Sequence, residues 1–428
     1  MDLTELQDRL SRLWTDRSPA ERASRAAAAL FDTPGDWDPP AGIAPRDDLL
    51  YLSVGIPDTQ TLPIDAIRAA AERVLTRGDE AAYRYGFGTG YFPLRRYLAE
   101  RRSLEEGADV SPDTFQVTNG SSGAIDLIVR SLVDPGDVIL TECPTYMGTL
   151  HAFRGAQARI EPVRMDEEGL DTDALAERLD RLRSEGARVK LVYTISAFHN
   201  PSGRTLSLAR RVALLELAAR HDLLVLDDEA YRGLWYDEPA PPTLAQLSGG
   251  HGVITVGSFS KILATGLRIG WIHAPEPFIR LFGRMRFAMG QNQLALRVVA
   301  ELASSGAIEP HVDAMRALYR GKMHRISDAL RKHAGEWLTF EEPAGGFYLW
   351  TRLRDGLGAR DVWRTGYAEG VAVNPGDGFA MAGHAEGLGG EYLRVAYSWA
   401  DPDRLEEAAR RLATACRRVA DGHSAQRA

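Results

Sequence analysis

Short apolar runs alternate with helical patterns through the middle of this 428-residue chain. β-Branched, apolar runs that are typical of buried strands occur at 115–118, 138–142, 158–163, 189–195, 223–227 and 253–257. Helical patterns lie between the first five of them, at 122–133, 145–154, 171–184 and 207–221. Strands that alternate with helices form βαβ units, in which the helices cover both faces of a parallel sheet. The sequence therefore predicts an α/β fold built on a mostly parallel sheet.

The flanking regions follow other patterns and predict a division into three parts. Residues 1–48 are predicted to be an N-terminal arm of two amphipathic helices and a Pro/Gly/Asp-rich link. The large domain is predicted at 49–305 and opens with a strand over 49–57. The small α+β domain is predicted at 306–428, together with part of the N-terminal segment. Further helices are predicted at 63–75, 276–289, 293–304, from about 310 and up to about 419, and further strands at 347–350, 371–373 and 392–395.

Lysine is rare in this sequence, and one lysine stands apart from the others. The chain has four lysines and 47 arginines, and Lys261 alone follows a β-branched run, Val253–Val256. The other three are predicted to be solvated surface lysines, at Lys190, Lys322 and Lys332. Close to Lys261 lie two hydroxyls and a guanidinium, from Ser258, Ser260 and Arg268.

These groups around Lys261 suit one kind of ligand. Hydroxyls and a guanidinium bind phosphate, and a desolvated lysine beside another cation can lose its proton and attack a carbonyl. A phosphate and an aldehyde together indicate pyridoxal phosphate (PLP). Two other interpretations stay open for this stretch: a strand followed by a glycine-containing loop, or the Ser-x-x-Lys motif of serine acyl-transferases. The second is disfavoured because its companion motifs are missing and a strand precedes Lys261.

Polar residues follow several of the predicted strands. In open α/β sheets, ligands bind at the carboxyl ends of the strands. The residues in question are Ser121 and Ser122 at the start of a helix, Tyr146, Asn200, Asp228 and Tyr231. A helix N-terminus favours phosphate, and Asp228, emerging from the apolar run Leu223–Leu226, needs a cation such as a protonated pyridine nitrogen. The pattern predicts that these side chains meet at one site.

Composition excludes several classes of function. The net charge is −8 and no long basic run occurs, which disfavours binding to nucleic acids or anionic membranes. The two cysteines, Cys143 and Cys416, fit a reducing compartment, and no histidine motif predicts a metal site. No apolar run is long enough for a membrane span, so the chain is predicted to be cytoplasmic. The glycines at 86, 88 and 90 do not have the spacing of a dinucleotide loop.

Taken together, these motifs resemble the fold-type I PLP enzymes of the class I/II aminotransferase superfamily. The resemblance extends from about Ser53 to Trp399 and is greatest to the 2-aminoadipate/kynurenine and aromatic aminotransferase branch. It implies an aspartate aminotransferase-like fold, with a seven-stranded sheet in the large PLP-binding domain. It also implies a homodimer with shared active sites, acting on an amino acid and a 2-oxo acid.

The resemblance also assigns roles to individual residues. Lys261 resembles the Schiff-base lysine, and Asp228 resembles the partner of the pyridine nitrogen. Asn200 and Tyr231 resemble the donors to the phenolic oxygen, and Tyr146 resembles the aromatic residue that stacks on the ring. The residues that resemble the phosphate-binding group are Ser121, Ser122, Ser258, Ser260 and Arg268.

Three further residues resemble substrate or inter-subunit contacts. Arg394 resembles the arginine that binds the substrate carboxylate, and Gly55 resembles a glycine that lines the substrate site, where Asn200 also contributes. Tyr85 resembles a tyrosine that reaches the phosphate of the neighbouring subunit. In two places the sequence departs from the branch, which more often has glutamine at the position of Ser122 and proline at that of Ser196.

The expected reaction is the transfer of an amino group between an L-amino acid and a 2-oxo acid, through a Schiff base with Lys261. The substrate amine displaces Lys261 from this Schiff base, and the freed amine of Lys261 is then the natural general base that moves the α-proton. One alternative is a PLP enzyme of secondary metabolism that does not transaminate, such as an oxidase, a cyclase or a replacement enzyme. A more remote alternative is a regulatory protein that kept the PLP fold, although residues 1–48 offer too little length for a winged-helix module.

Overall fold

The computed structural model describes residues 2–427, apart from 16–20, 22, 29, 31–38, 45, 87, 288–289, 355 and 382–388. Within this part of the chain, no helix combines the length and the apolar character that crossing a membrane requires. The predicted arm contains helix α1 (Leu3–Thr15) and the short helix α2 (Arg25–Ala28). The predicted link that follows and the end of the helix predicted at 276–289 lie partly outside the described residues.

Strands and helices alternate along the rest of the chain. The strands are β1 (Leu50–Tyr51), β2 (Phe115–Thr118), β3 (Val138–Cys143), β4 (Arg159–Asp166), β5 (Gly169–Leu170), β6 (Val189–Thr194), β7 (Leu224–Asp228), β8 (Val253–Ser258), β9 (Gly270–His273), β10 (Leu338–Thr339), β11 (Tyr348–Leu353), β12 (Val371–Ala372), β13 (Asn374–Pro375) and β14 (Tyr392–Ala396). The remaining helices are α3 (Ile64–Thr76), α4 (Phe92–Glu106), α5 (Gly120–Leu132), α6 (Met147–Gly155), α7 (Thr172–Ser184), α8 (Leu208–His221), α9 (Leu244–Leu247), α10 (Glu276–Met285), α11 (Gln293–Ser304), α12 (Ile308–Ala334), α13 (Ala359–Glu369) and α14 (Leu405–Arg427). The central strands and helices begin and end within three residues of the predicted bounds.

The large sheet has the order β2-β9-β8-β7-β6-β3-β4-β5 within the described residues. Strand β9 runs antiparallel to β2 and β8, and the two-residue strand β5 runs antiparallel to β4. The other six strands are parallel to one another. The prediction of an α/β fold with a mostly parallel sheet is confirmed. The seven longer strands match the expected number, and β5 adds an eighth at the edge.

Both faces of the large sheet are covered, as expected for strands joined by helices. Successive side chains of a strand point to opposite faces, and in β7 the adjacent residues Val225 and Leu226 enter two different hydrophobic clusters. In β6 the residues Leu191 and Val192 divide in the same way. All four side chains are at most 1% exposed. Unbroken apolar runs therefore mark the central strands, whereas the polar residues lie at their ends.

The C-terminal region forms a second, smaller sheet with the order β10-β11-β14-β13. Its neighbouring strands are antiparallel. The strand predicted at 49–57 is much shorter than expected, because only Leu50–Tyr51 forms a strand, and it pairs with Val371–Ala372. Leu52 continues this attachment, because its N–H donates to Ala372 O and its C=O accepts from the Ala396 N–H. Residues 50–52 thus join the C-terminal unit.

The prediction that Lys322 is a solvated surface lysine is wrong. Its side chain is 1% exposed, and its Nζ donates to Asp58 Oδ2 over 2.7 Å. Lys322 lies on the inner face of α12, and its partner lies 264 residues away in the sequence. The arginine-rich helical pattern around Lys322 contains no sign of so distant a carboxylate. Lys332, on the same helix, is exposed as predicted and pairs with Glu406.

Candidate active site

A cavity of about 230 Å³ lies at the carboxyl ends of the parallel strands. Polar residues collect there because several strands of a parallel sheet end at the same edge. The cavity brings together eleven of the thirteen predicted site residues: Gly55, Ser121, Ser122, Tyr146, Asn200, Asp228, Tyr231, Ser260, Lys261, Arg268 and Arg394. Residues that lie up to 339 positions apart in the sequence therefore line one small-molecule-sized space.

One end of the cavity presents groups that bind anions. Helix α5 begins at Gly120, so that Ser121 and Ser122 lie in its first turn, where backbone N–H groups lack partners within the helix. Arg268 adopts a left-handed backbone conformation (φ 51°), and its Nη2 lies 3.5 Å from Asn119 O. Positive charge and the N-terminus of α5 thus meet at one place, which suits a phosphate group.

Glycine at position 270 allows strand β9 to pack closely against the first turn of α5. A Cβ at Gly270 would lie 2.5 Å from the carbonyl carbon of Gly120 and 2.7 Å from the Ser121 nitrogen. Any larger residue would push β9 away from the first turn of α5. Strand β9, which the sequence patterns did not reveal, therefore holds the loop from Lys261 to Arg268 against that turn.

A buried carboxylate lies elsewhere on the cavity wall. Asp228 is 5% exposed, and it accepts hydrogen bonds from the Ala230 N–H over 3.1 Å and from the Tyr193 hydroxyl over 3.1 Å. Burial raises the pKa of Asp228 to about 6, although both hydrogen bonds and the positive charge of Lys261 act in the opposite direction. A buried carboxylate with a raised pKa is stabilised by a cation that hydrogen bonds to it.

The amine of Lys261 is tuned toward its neutral form. Its Nζ donates to Gly55 O over 2.8 Å. The pKa of Lys261 is lowered to about 8, first by burial and then by the charge of Arg394, with a smaller effect of Arg268. Asp228 opposes the shift. A lysine with these neighbours becomes a nucleophile near neutral pH.

Arg394 crosses from the small sheet into the cavity. Its Nη1 donates to Asn200 Oδ1 over 2.9 Å, and its Nη2 donates to Ser53 O over 2.8 Å and to Asn374 Oδ1 over 2.9 Å. The guanidinium carbon lies 4.7 Å from the centre of the Tyr348 ring. A planar guanidinium that is 5% exposed and fixed on several sides is preorganised to bind a carboxylate.

Two tyrosines that the sequence did not single out belong to this site. The Tyr348 hydroxyl is 2.7 Å from the Tyr231 hydroxyl, and a Cβ at Gly55 would lie only 2.0 Å from the Tyr348 oxygen. The Tyr193 hydroxyl bridges Asp228 and Thr149. Neither tyrosine follows a strand end, so no local signal identifies it.

The two remaining predicted residues lie away from the cavity wall. Ser258 is buried beneath it, and its Oγ accepts a hydrogen bond from the Ser260 N–H over 3.0 Å. This contact suits positioning of the Ser260 loop better than direct contact with a ligand. Tyr85 is 75% exposed in the single chain, as a residue that serves a neighbouring subunit would be. Among the described residues, no group of histidine, cysteine, aspartate and glutamate side chains could hold a metal ion.

The residues of the cavity fit one cofactor. The first turn of α5 and Arg268 match a phosphate, the amine of Lys261 with its lowered pKa matches an aldehyde, and buried Asp228 matches a protonated ring nitrogen. PLP carries all three groups. The fold and the site together define a PLP-dependent enzyme whose lysine follows the strand β8 of a doubly covered sheet.

Comparison with known proteins gives the family. The family model for aminotransferase class I and II matches residues 47–412. The chain is 32% identical to aromatic-amino-acid aminotransferase 1 of Thermococcus litoralis over 369 residues, which cover 86% of this chain and 87% of that protein. It is 34% identical to the 2-aminoadipate transaminase of Thermus thermophilus over 375 residues, which cover 86% of this chain and 90% of that protein.

A solved structure extends the similarity to the fold. The α-aminoadipate aminotransferase LysN of Thermus thermophilus, complexed with N-(5'-phosphopyridoxyl)-L-leucine, superposes with a TM-score of 0.82 at 31% identity. The alignment covers 95% of this chain and all of that one. The chain belongs to the class I and II aminotransferases. It is a PLP-dependent transferase that exchanges an amino group between an amino acid and a 2-oxo acid, as the sequence predicted.

Proposed function

We propose that the chain works as a homodimeric amino acid:2-oxo acid aminotransferase in which Lys261 moves the proton of the α-carbon. The observation that carries this proposal is the position of the Lys261 amine, which lines one cavity together with Asp228 and Arg394 and whose pKa is lowered to about 8. A proton-transfer group is most effective when its pKa lies near the working pH. A cytoplasmic location remains a prediction from the sequence.

PLP, when bound, accepts the electron pair that remains at the α-carbon after the proton leaves. Arg394 is proposed to bind the α-carboxylate of the substrate through its guanidinium, which already hydrogen bonds Asn200 and Asn374. Such a pair fixes the orientation of the α-carbon. Lys261 would take the proton from the α-carbon and, with PLP bound, return it to the cofactor, which would keep the amino group once water has released the 2-oxo acid.

The other residues are proposed to hold the cofactor in one orientation. Asp228 keeps a proton on the ring nitrogen, which its raised pKa supports, because a charged partner would relieve the cost of burying the carboxylate. Asn200 and Tyr231 are proposed to donate to the phenolic oxygen, and Tyr146 to cover one face of the ring. The proposed phosphate contacts are Ser121, Ser122, Ser260 and Arg268, with Ser258 supporting Ser260.

The proposal is tested by following one half of the reaction with the purified PLP-loaded protein. Amino acids are supplied singly, in air and under nitrogen, without a 2-oxo acid. Aromatic amino acids and 2-aminoadipate come first, because the relatives are named for them. We expect each productive amino acid to convert the bound PLP stoichiometrically to pyridoxamine phosphate, without oxygen uptake. Added 2-oxoglutarate or pyruvate should restore PLP, whereas many turnovers without an acceptor would contradict transamination.

Dimerisation is proposed because Tyr85 lies outside the cavity of its own chain and is 75% exposed. In a twofold dimer the same surface serves both subunits, and Tyr85 of one would complete the site of the other. The variants Tyr85→Ala and Lys261→Ala should each have low activity as homodimers. When equal amounts are unfolded, mixed and refolded, about one quarter of the sites combine both intact residues.

We therefore expect the mixture to regain about a quarter of the wild-type activity, because the two kinds of subunit pair at random. As a control, Tyr85→Phe replaces Tyr85→Ala in the mixture, because this variant retains the ring and removes only the hydroxyl. If Tyr85 acts within its own subunit, mixing restores nothing, and the shared-site proposal is wrong.

A further inference from the structure

Residues 53–58, here called the front segment, lie against both proposed catalytic cations. Gly55 O accepts a hydrogen bond from Lys261 Nζ over 2.8 Å. Two residues earlier, Ser53 O accepts one from Arg394 Nη2 over 2.8 Å. Gly55 and Ile56 also line the cavity. The backbone of the front segment therefore spans the distance between the group that moves the proton and the group that binds the carboxylate.

The far end of the front segment is held by a buried lysine. Lys322 donates to Asp58 Oδ2 over 2.7 Å, to Ser398 O over 2.8 Å and to Ala400 O over 2.7 Å. An ammonium group has three hydrogens, and these three contacts use all of them. Lys322 and Asp58 are 1% and 5% exposed, so the pair lies away from solvent.

Two further hydrogen bonds attach the front segment to the same region. The Ser398 hydroxyl donates to Ile56 O over 2.7 Å, and the Asp58 N–H donates to the Tyr319 hydroxyl over 3.0 Å. Ser398 follows β14, the strand that carries Arg394. The contacts of Lys322 thus join the front segment to the end of the strand that places the carboxylate-binding arginine.

Stability alone does not account for an ion pair at this position. Burial lowers the pKa of Lys322 while Asp58 raises it, and the net shift is downward. The charge therefore has a desolvation cost that its partner does not fully offset. Apolar residues of similar volume often stabilise a protein as well as a buried ion pair or better. In addition, the pair fixes the geometry of the groups that it joins, because each hydrogen bond restricts both the distance and the angle of its partner.

We propose that Lys322 and Asp58 are positioning residues for transamination, which hold the front segment at the spacing that Lys261 and Arg394 require for binding substrate. This inference rests on the proposed roles of Lys261 and Arg394. Lys322 touches neither of them, and it acts only through the backbone of residues 53–58. When the pair is lost, the front segment shifts relative to Arg394, and the α-carboxylate is bound in a less favourable position.

The test compares two lysines of the same helix. Lys322→Met removes the ammonium group, and Lys332→Met removes an exposed ammonium group ten positions away on α12. For Lys322→Met we expect KM for the amino acid to rise by about 10-fold, while kcat per bound PLP changes by less than about threefold. The PLP content per subunit should stay that of the wild type. Lys332→Met should match the wild type in all three quantities.

A second variant keeps the proposal testable if Lys322→Met fails to fold. Asp58→Asn keeps one side-chain oxygen that can accept from Lys322, removes the charge and replaces the second oxygen, at present the acceptor of the Gln60 N–H, by an NH2 group. We expect KM to change in the same direction by a smaller factor. A merely structural role would lower Tm and the fraction of active protein, and leave KM unchanged in the protein that folds. That result in both variants would overturn the inference.

A measurement that needs no turnover separates this inference from the proposed function. Backbone hydrogen exchange of the PLP-loaded protein reports directly on the front segment. We expect faster exchange at residues 53–61 in Lys322→Met than in Lys332→Met, with no change in the large sheet. If the wild-type protein does not transaminate but this difference is found, the proposed function fails while the contact between Lys322 and the front segment stands. Equal exchange in the two variants would overturn the inference.

Discussion

Replacing Lys261 by alanine is expected to lower the rate of amino-group transfer by about 10⁴-fold, the upper range for losing a positioned proton-transfer group. The side chain lies where the cavity needs an amine, and burial together with Arg394 brings its pKa down to about 8. Among the four lysines of the chain, Lys261 is the one that lines the cavity. Stopped-flow measurement of the half-reaction with a saturating amino acid gives the rate directly.

The phosphate contacts remain in this variant, so PLP should still bind, without a covalent link to the protein. Borohydride followed by peptide mass analysis should label Lys261 in the wild type and no lysine in Lys261→Ala. Lys190→Ala, at the start of β6, is the matched control and should react like the wild type. Labelling of another lysine together with retained turnover would assign the chemistry elsewhere.

The pH dependence provides a second check on Lys261. A lysine reacts with PLP through its neutral form, whose population increases as the pH rises toward the pKa. With a pKa of about 8 instead of 10.5, capture of PLP by cofactor-free protein should speed up until about pH 8 and then level off. A rate that keeps rising toward pH 10 would mean that the amine is not tuned by its surroundings.

Asp228→Asn is expected to slow removal of the α-proton by about 10²–10³-fold, the range for losing one preorganised electrostatic group. Asparagine has nearly the same shape, and its oxygen can still accept from the Ala230 N–H. It lacks the negative charge that keeps a proton on the ring nitrogen. Solvent exchange of the α-proton, followed by NMR with the PLP-loaded variant, measures this step alone.

Asp227→Asn serves as the comparison, because adjacent residues of β7 point to opposite faces of the sheet. Asp227 interacts with Arg211 and Arg232 on its own face, and Asp228 contacts Tyr193 on the other. Exchange in properly folded Asp227→Asn should therefore stay close to the wild-type rate. If Asp228→Asn exchanges normally and Asp227→Asn does not, the two aspartates have been assigned in the wrong order.

The parts of the site that sequence reasoning found are those with a local signal. Asp228 and Lys261 each follow an apolar strand closely, and a polar group at such a position has few structural reasons to be there. The alternation of strands and helices is also a local signal, and it predicted the large sheet. Strand β9 escaped notice because its residues directly follow the phosphate-binding loop, and no helical pattern separates them from β8.

What sequence reasoning missed depends on contacts between distant segments. Tyr348 reaches Tyr231 across 117 positions, and Lys322 reaches Asp58 across 264. The sequence around Tyr348 or Lys322 gives no indication of its partner. A lysine among arginines on a helix is typical of a solvated face. Only the folded chain shows that the residues of each pair lie together.

The front segment holds both cations through main-chain oxygens, at Gly55 and Ser53. A carbonyl group is present whichever side chain a position carries. Ile56, which lines the cavity, can thus be substituted without removing the carbonyl group of either contact. Substitution at position 56 is therefore expected to change what the cavity accepts while Lys261 and Arg394 keep their backbone partners.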